Sequence, residues 1–522
     1  MIPFLSEPPV VALTGVIEQP YNLAVATART CYSSKGIVSL DDVTKDEKAI
    51  ILRDKIARST LQAGHLTTRQ HATFVFALDK ISRQFIWSFL HSHPYYNSEQ
   101  VSQRYVKVAR GHYTIPELPQ KQADRYVATV DTLIEQYNRM IEILLPEIRK
   151  RFYKIFPQRE KVSERYETAL KKRGYEVARY LLPVAIHAYM YHSVSALTLM
   201  RYWRICQLFD TPVEQRYVVE RMVAAVKAVD PEFEKELKDP LSLEETPEYI
   251  AYQQFHGGEK KGLAAEFVKE FDAGLENHVS RLVDYKNGAE ETLAQSVREV
   301  LGLPKNRFSD DDAIALVLDP AKNSYFGDTL NLTTLSKLSR TMVHPHYTFQ
   351  KKISHTADSQ DQRHRMAPAS RPILSGHYSG QPDYILPLLV REYEPARELF
   401  LETMETLFGE INNLLDDGVS PEKALYLLPN AFPIRFTESG DLLNLHHKWR
   451  TRACYDSQEE IFFATIDEIQ QVKKIHPRIA KHILAPCYLR KQAGETPYCP
   501  EGDRYCGIPV WKQTIEQYDR TL

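Results

Sequence analysis

The chain is poor in cysteine and tryptophan, with 6 and 4 among 522 residues. So few cysteines exclude a disulfide-built scaffold, although Cys454, Cys487, Cys499 and Cys506 crowd toward the end. An excess of one charge is missing too. With 66 basic against 68 acidic side chains, no global field draws the chain to nucleic acid or an anionic membrane, so an anionic ligand has to be gripped by locally placed arginines. Long apolar runs are absent: Ala178 to Met200 is interrupted by Arg179, Pro183, His187 and His192, which argues against a membrane span. The opening MIPFLSEPPVVALTG has no basic stretch and carries Glu7, unlike a signal peptide, so the expected location is cytoplasmic. What is present is globular, with 43% hydrophobic and 26% charged residues. The length exceeds the roughly 250 to 300 residues at which a single core stops growing, which implies two domains or a duplicated unit.

Internal comparison favours duplication. DKISRQFIWSFLHSH (Asp79 to His93) has a counterpart in KKISHTADSQDQRHR (Lys351 to Arg365), with Ser82 matching Ser354. Upstream, His71 precedes Phe76 in HATFVF as His344 precedes Phe349 in HPHYTF; downstream, ARYLLP (Ala178 to Pro183) matches ALYLLP (Ala424 to Pro429). The landmarks keep their order while the spacer shrinks. Apolar residues from Val127 to Leu145 recur at spacings of three and four, predicting an amphipathic helix over about 122–156 that ends at Pro157. A second helical region is expected over about 166–204, and another helix from near Pro212. Pro9 to Ile17 and Ala72 to Ile81 alternate as strands do. The predicted organisation is a first repeat over 1–232, a helical connector over 233–305 containing Gly257-Gly258, a second repeat over 306–475, and a cysteine-bearing tail over 476–522.

ATARTCYSS (Ala26 to Ser34), HATFVF, ISRQF and SEQVSQRY (Ser98 to Tyr105) stand in the order and approximate spacing of the flavin-dependent thymidylate synthases. The chain resembles a tandem-duplicated, divergent member of that family, whose signature runs from Arg-His-Arg to Ser-x-Arg-Tyr. The first copy keeps the end of the signature, Ser102-Gln103-Arg104-Tyr105, preceded by Glu99-Gln100, but has His91, Ser92 and His93 at its start. The second copy keeps the start, Arg363-His364-Arg365 with Gln360 before it, and departs afterwards in MAPASRPILSGHY. Leu427 to Ile461 resembles the family's second conserved region: Arg452, Gln458, Glu460 and Ile461 fit, as do Glu214 and Arg216 in the first copy. The family's Asn-x-Arg is missing from both copies, replaced by Ser195 and Leu197 and by Asp441 and Leu443.

The resemblance implies an α+β fold present twice, a twisted antiparallel sheet with long helices, helix-rich overall. It also implies reductive methylation of a uracil nucleotide, dUMP to dTMP or a close variant. FAD is then the cofactor, with NADPH and methylenetetrahydrofolate as co-substrates. Arg104 and Arg365 are the candidate catalytic cations. Glu99, Gln100, Ser102, Gln103, Arg104, Gln360 and Arg452 are expected at the substrate, where paired guanidinium donors suit a phosphate. Ser33, His71, His344, Arg363, His364 and Arg365 are expected at the flavin. The family assembles its sites from several subunits of a homotetramer, so a homodimer of this chain is expected, each working site taking Arg104 from one copy and Arg363 to Arg365 from another.

Rival readings remain beside these. His71 is either a flavin contact or a core histidine. His91 and His93 make at most two metal ligands, and a structural role suits them better. Cys487, Cys499 and Cys506, with Cys454 or His482, supply ligands for a structural zinc ion on one reading and are buried reduced thiols on the other. A degenerate homologue that binds flavin or nucleotide without methyl transfer, in a regulatory or scaffold role, is the main alternative function, and the lost Asn-x-Arg favours it. A helical RNA-binding protein has only scattered arginines and 30 tyrosines behind it, and the balanced charge argues against it.

Overall fold

The computed structural model describes residues 2–91, 95–207, 210–256 and 262–520. Two four-stranded antiparallel sheets are built in the same order. The first uses β1 (Val10–Val16), β2 (Thr73–Ser82), β3 (Tyr96–Gln100) and β4 (His187–Ser195), arranged β1-β2-β4-β3. The second uses β5 (Ser280–Tyr285), β6 (His346–Ser354), β7 (Ala369–Ser370) and β8 (Pro433–Asp441), arranged β5-β6-β8-β7. The duplicated α+β fold is thus present. β5 lies inside the stretch expected to be a helical connector, so that stretch supplies the edge strand of the second sheet; Gly257-Gly258 lie outside the described residues. The helical region expected over about 166–204 is interrupted by β4. Its burial alternates, with Ala188, Met190, His192 and Val194 inside and Tyr189 and Tyr191 outside. A histidine in the inward row and tyrosines in the outward row hide the period of two.

Each central strand runs into a helix through one serine. Ser82 accepts from Phe85 N at 2.8 Å at the start of α1 (Arg83–His91) and donates to Glu214 of the helix Pro212–Val229 at 2.7 Å. Ser354 likewise accepts from Ala357 N at 3.1 Å, opening α2 (His355–Asp361), and donates to Glu460 of the helix Glu459–Ile475. Burial raises the pKa of both glutamates. A third partner comes from the opposite copy: Tyr426 donates to Glu214 at 2.6 Å, and Tyr180 donates to Glu460. The two Ser-Glu-Tyr triads are related by an internal twofold.

The twofold passes through the ARYLLP and ALYLLP segments. Pro183 bridges Pro429; Val184 N donates to Leu428 O and Asn430 N to Leu182 O, both at 2.8 Å; Ala185 N donates to Tyr426 O at 2.9 Å and Ala431 N to Tyr180 O at 3.1 Å. Each bond has its mate, as an isologous interface requires. The long helix α3 (Gln120–Ile155) and its partner α4 (Glu394–Asp416) pack here, burying Tyr126, Val130, Leu133, Tyr137 and Met140 against Phe400, Met404, Leu407 and Ile411 in one core spanning both copies. At about 1.5–3 kcal/mol for each fully buried large apolar side chain, this shared core holds the copies together strongly.

The copies differ most within their own cores. Lys351 Nζ lies 2.8 Å from both Glu438 and Glu468 and 3.4 Å from Asp361; Lys448 Nζ lies 2.8 Å from Asp361 and 2.6 Å from Glu438. All five are at most 2% exposed. In the first copy the matching positions are Leu78, Phe89, His192, Tyr202 and Met222, an apolar cluster in which the Phe89 ring lies 4.5 Å from Tyr202 and 5.1 Å from His192. Two lysines and three carboxylates have replaced an aromatic core, directly beneath the turn that carries Arg363 to Arg365.

Candidate functional site

Arg83, Arg179, Arg363 and Arg452 gather from both copies at one side of the junction. Arg83 opens α1; Nη1 donates to Gln100 Oε1 at 3.0 Å and Nη2 to the Val101 carbonyl at 2.6 Å. No carboxylate pairs with it among the described residues. Burial, with Arg179 and Arg363 beside it, pulls its pKa down to about 9. Arg452 ends the helix Leu442–Arg452, donating from Nε to His364 Nε2 at 2.9 Å and from Nη2 to the Gln360 carbonyl at 3.1 Å. Burial lowers its pKa to about 10; Asp361 opposes, while Arg363 and Arg104 push further down. Burial also lowers Arg179. His364, lowered well below the usual imidazole value by burial and by Arg452, is the neutral acceptor that this contact needs.

Desolvated guanidinium groups packed together without carboxylates are unfavourable unless an anion completes them. Arg83 Nε, Arg179 Nη2, Gln103 Nε2 and Gln360 Oε1 are buried polar atoms without a protein hydrogen-bond partner. Both copies also wall a cleft of about 630 Å³, with Tyr96, Asn97 and Ser195 from the first and Arg363, Arg365 and His447 from the second. Arg365 donates to Asn97 Oδ1 at 3.2 Å and lies 5.0 Å from the centre of the Tyr96 ring; Arg363 stands 3.8 Å from exposed Glu99.

Arg104, by contrast, is compensated. Nε lies 3.0 Å from Glu176 and Nη2 donates to the Asp456 carbonyl at 2.7 Å. Burial alone would raise Glu176, but Arg104, Arg173, Arg520 and Arg179 overcome it and hold its pKa at about 2. Ser102 Oγ accepts from Arg104 N at 3.3 Å, and Gln103 Oε1 accepts from Asn430 at 3.1 Å. Arg104 and Arg363, from the two halves of the divided signature, thus both stand beside Arg452 within one chain.

The twofold generates a second location, and there the four arginines are absent. Arg83, Arg179, Arg363 and Arg452 correspond to His355, Leu425, His91 and Cys206. Asp358 fills the space, accepting from Trp87 Nε1 at 2.7 Å and from Arg371 Nη2 at 2.8 Å, with His91 Nε2 at 3.6 Å. Burial drops His91 and His355 to about 3, so both imidazoles are neutral. His91 is structural, while Ser92 and His93 lie outside the described residues.

Other expected residues are placed elsewhere. His71 and His344 are exposed just before β2 and β6, so neither is a core histidine; Thr73, two residues on from His71, lines the cleft. Ser33 Oγ accepts from Lys35 N in the turn after the helix Pro20–Thr30. Ser195 and Asp441, at the Asn of Asn-x-Arg, cap helices, accepting from Thr198 N at 3.2 Å and Asn444 N at 2.9 Å. Burial pushes the Cys487 and Cys454 thiols to about 12, with Cys506 near both and Cys499 near Cys487. Among the described residues, no three His, Cys, Asp or Glu side chains converge in a metal-holding arrangement. Nor is any described helix long and apolar enough to cross a membrane. Arg83 and Arg179 are the residues that motif reading overlooked. Their signal lay in the repeat itself, where ISRQ faces ISHT and ARYLLP faces ALYLLP.

A duplicated antiparallel fold with an arginine-walled site at its internal junction defines the class, that of the thymidylate synthase-like methyltransferases. The family described as thymidylate synthase complementing protein matches residues 12–232 and 281–478, and the chain belongs to it. It is 30% identical over 170 residues to a flavin-dependent thymidylate synthase of Geobacter sulfurreducens, covering 32% of this chain and 70% of that one. Against one from Saccharolobus solfataricus it is 24% identical over 220 residues, 40% of this chain and 78% of the relative. A crystal structure of a UMP/dUMP methylase, PolB from Streptomyces cacaoi bound with 5-Br dUMP, aligns over 44% of this chain and 94% of that one, at 16% identity and a TM-score of 0.33.

Proposed function

We propose that the chain methylates a uracil nucleotide, dUMP to dTMP or a close variant, at one composite site per chain. The observation that carries this reading is the meeting of arginines from both copies, with Arg83 buried without a carboxylate partner and Arg83 Nε and Arg179 Nη2 lacking protein hydrogen-bond partners, in a family whose named relatives are thymidylate synthases. Arg83, Arg179 and Arg452 would hold the nucleotide phosphate, with Gln103 and Gln360 offering their unpartnered amide atoms to further oxygens or ring groups. Arg104, fixed by Glu176, supplies charge that needs no reorganisation. Arg363, His364 and Arg365 line the cleft that would take FAD, and Arg365, pinned by Asn97 and Tyr96, would place a cation against charge developing on the ring. Bound flavin would supply the hydride chemistry, with methylenetetrahydrofolate as carbon donor and NADPH as reductant.

The test follows from the charge imbalance. Arg83→Met removes a buried cation without a carboxylate partner, so the fold is expected to be at least as stable while dUMP affinity falls about 10- to 100-fold. Equal loss of stability and affinity would overturn the reading of Arg83 as a ligand group. Incubation with flavin, dUMP, methylenetetrahydrofolate and NADPH should give dTMP. The second reading, binding without methyl transfer, rests on the loss of the family's Asn-x-Arg from both copies, with Ser195 and Asp441 capping helices at the Asn places and Leu197 and Leu443 at the Arg places. A yellow protein that binds dUMP yet forms no dTMP would favour it, and a colourless one that takes up no FAD would remove the first.

A further inference from the structure

Beyond the Arg104–Glu176 pair lies a second cavity of about 520 Å³. It is walled by the end of α3, the turn over 157–166, the helix Glu167–Ala178 and the tail segment around 503–508. Its aromatic lining is Phe152, Phe156, Tyr166, Tyr105 and Tyr505. Among these rings stand Arg159, Arg165, Lys172, Arg173, Arg504 and Arg520, against three lining carboxylates, Glu176, Asp456 and Asp503. Glu176 is already shared by Arg104 and Arg173, and Asp456 pairs with Arg173 at 3.3 Å. Arg159, Arg165 and Lys172 have no ion-pair partner among the described residues. Arg159 lies 4.1 Å from the Phe156 ring centre and 5.1 Å from that of Tyr166; Lys172 lies 5.7 Å from that of Tyr105.

The tail is fitted to this cavity. Gly507 adopts φ +89°, a backbone conformation that favours glycine, and a Cβ there would stand 2.3 Å from the Arg159 guanidinium, so a side chain at this position would displace that arginine and strain the tail. Arg520, nearly fully buried, reaches the same wall and donates to the Ser457 carbonyl. Flat aromatic rings interleaved with surplus guanidinium and ammonium groups match a heteroaromatic ring joined to phosphate, and the volume lies in the usual range for a small-ligand pocket.

We propose that this cavity binds a nucleoside phosphate, at a site separate from the composite cleft. The base stacks among Phe156, Tyr166 and Tyr105, and the phosphates meet Arg159, Arg165 and Lys172. Glu176 holds both Arg173 and Arg104, so an anion drawing Arg173 away from Glu176 changes how Arg104 is held, which, on the proposed reading of Arg104, couples this cavity to the substrate site.

The experiment uses the full chain with etheno-ATP, whose fluorescence reports stacking, and with dUMP in separate titrations. Wild type is expected to bind etheno-ATP at one site, with affinity falling as salt rises. Arg165→Glu with Lys172→Glu, both on the water-facing side, should cost that affinity at least about tenfold and leave dUMP binding unchanged. Arg83→Met should do the reverse. Absence of etheno-ATP binding, or binding indifferent to the double reversal, would overturn the proposal. If the doubly reversed chain does not fold, Gly507→Val, which displaces the tail, must weaken etheno-ATP instead. A chain that takes etheno-ATP but not dUMP would sink the reading of the cleft and leave this one standing.

Discussion

Single side chains here act mainly through the company they keep. Arg83 and Arg104 are both buried, yet burial, with Arg179 and Arg363 beside it, lowers the pKa of the first, while the second is locked to Glu176. Glu176 has the larger consequence for stability. Its folded pKa of about 2 lies below the ordinary 4.5, so it binds protons less tightly folded than unfolded. Its contribution is therefore complete above the unfolded value and is lost as pH falls from about 5 toward 2. The size is about 3 kcal/mol. In urea unfolding measured across that window, wild type should lose stability on acidification more steeply than Glu176→Gln. Parallel curves would refute the assignment. The paired triads give a second check. Tyr180→Phe and Tyr426→Phe each remove a donor from a buried glutamate, so each should cost about 1–3 kcal/mol; Tyr180 also accepts from Gln458, so Tyr180→Phe should be the more costly, and the reverse order would refute this account of the triads.

At the scale of elements, the sequence discloses those whose burial follows hydrophobicity and conceals those whose burial does not. α3 was legible because its inward face is aliphatic and aromatic at helical spacing. β4 and β8 were not: His192 lies in the inward row of one, and Arg435 and Glu438 are buried in the other. Inward-facing charge looks like surface until its partners are known, and the partners of Glu438 are Lys351 and Lys448, far apart in sequence. The same reason hid the buried charge cluster as a whole. The site was half legible. Motif residues were visible as letters, but Arg83 and Arg179 acquire meaning only when the twofold sets them against His355 and Leu425. The cluster also supports a prediction. Asp361→Phe alone leaves both lysines short of a carboxylate and should cost about 3–5 kcal/mol. Adding Lys351→Leu, Glu438→His, Lys448→Tyr and Glu468→Met reproduces the first copy's core and should recover most of the loss. Denaturant titration of both variants checks it, and a fivefold variant no better than the single one would show that the copies' backbones have diverged too far to share a core.

For the whole molecule, the useful fact is that both halves of the divided signature meet within one chain. The site therefore does not need a second chain to bring Arg104 near Arg363, whatever assembly forms around it. Nucleotide affinity should stay constant as the chain is diluted through the range in which any oligomer dissociates, followed by anisotropy of a labelled dUMP. Affinity that collapses with dilution would mean that a residue from another chain completes the site.

The bridge between Pro183 and Pro429 has one more implication. In a true homodimer a single gene change strikes both sides of the axis at once, so no residue can be good for one side and bad for the other. Joining the copies removed that veto. The copies were then free to differ, with Arg83, Arg179, Arg363 and Arg452 at one corner and His355, Leu425, His91 and Cys206 at the other. The halves are now complementary parts. Two first halves would lack Arg363 and Arg452, two second halves would lack Arg83 and Arg179, and neither product could rebuild the pocket that the unequal pair contains.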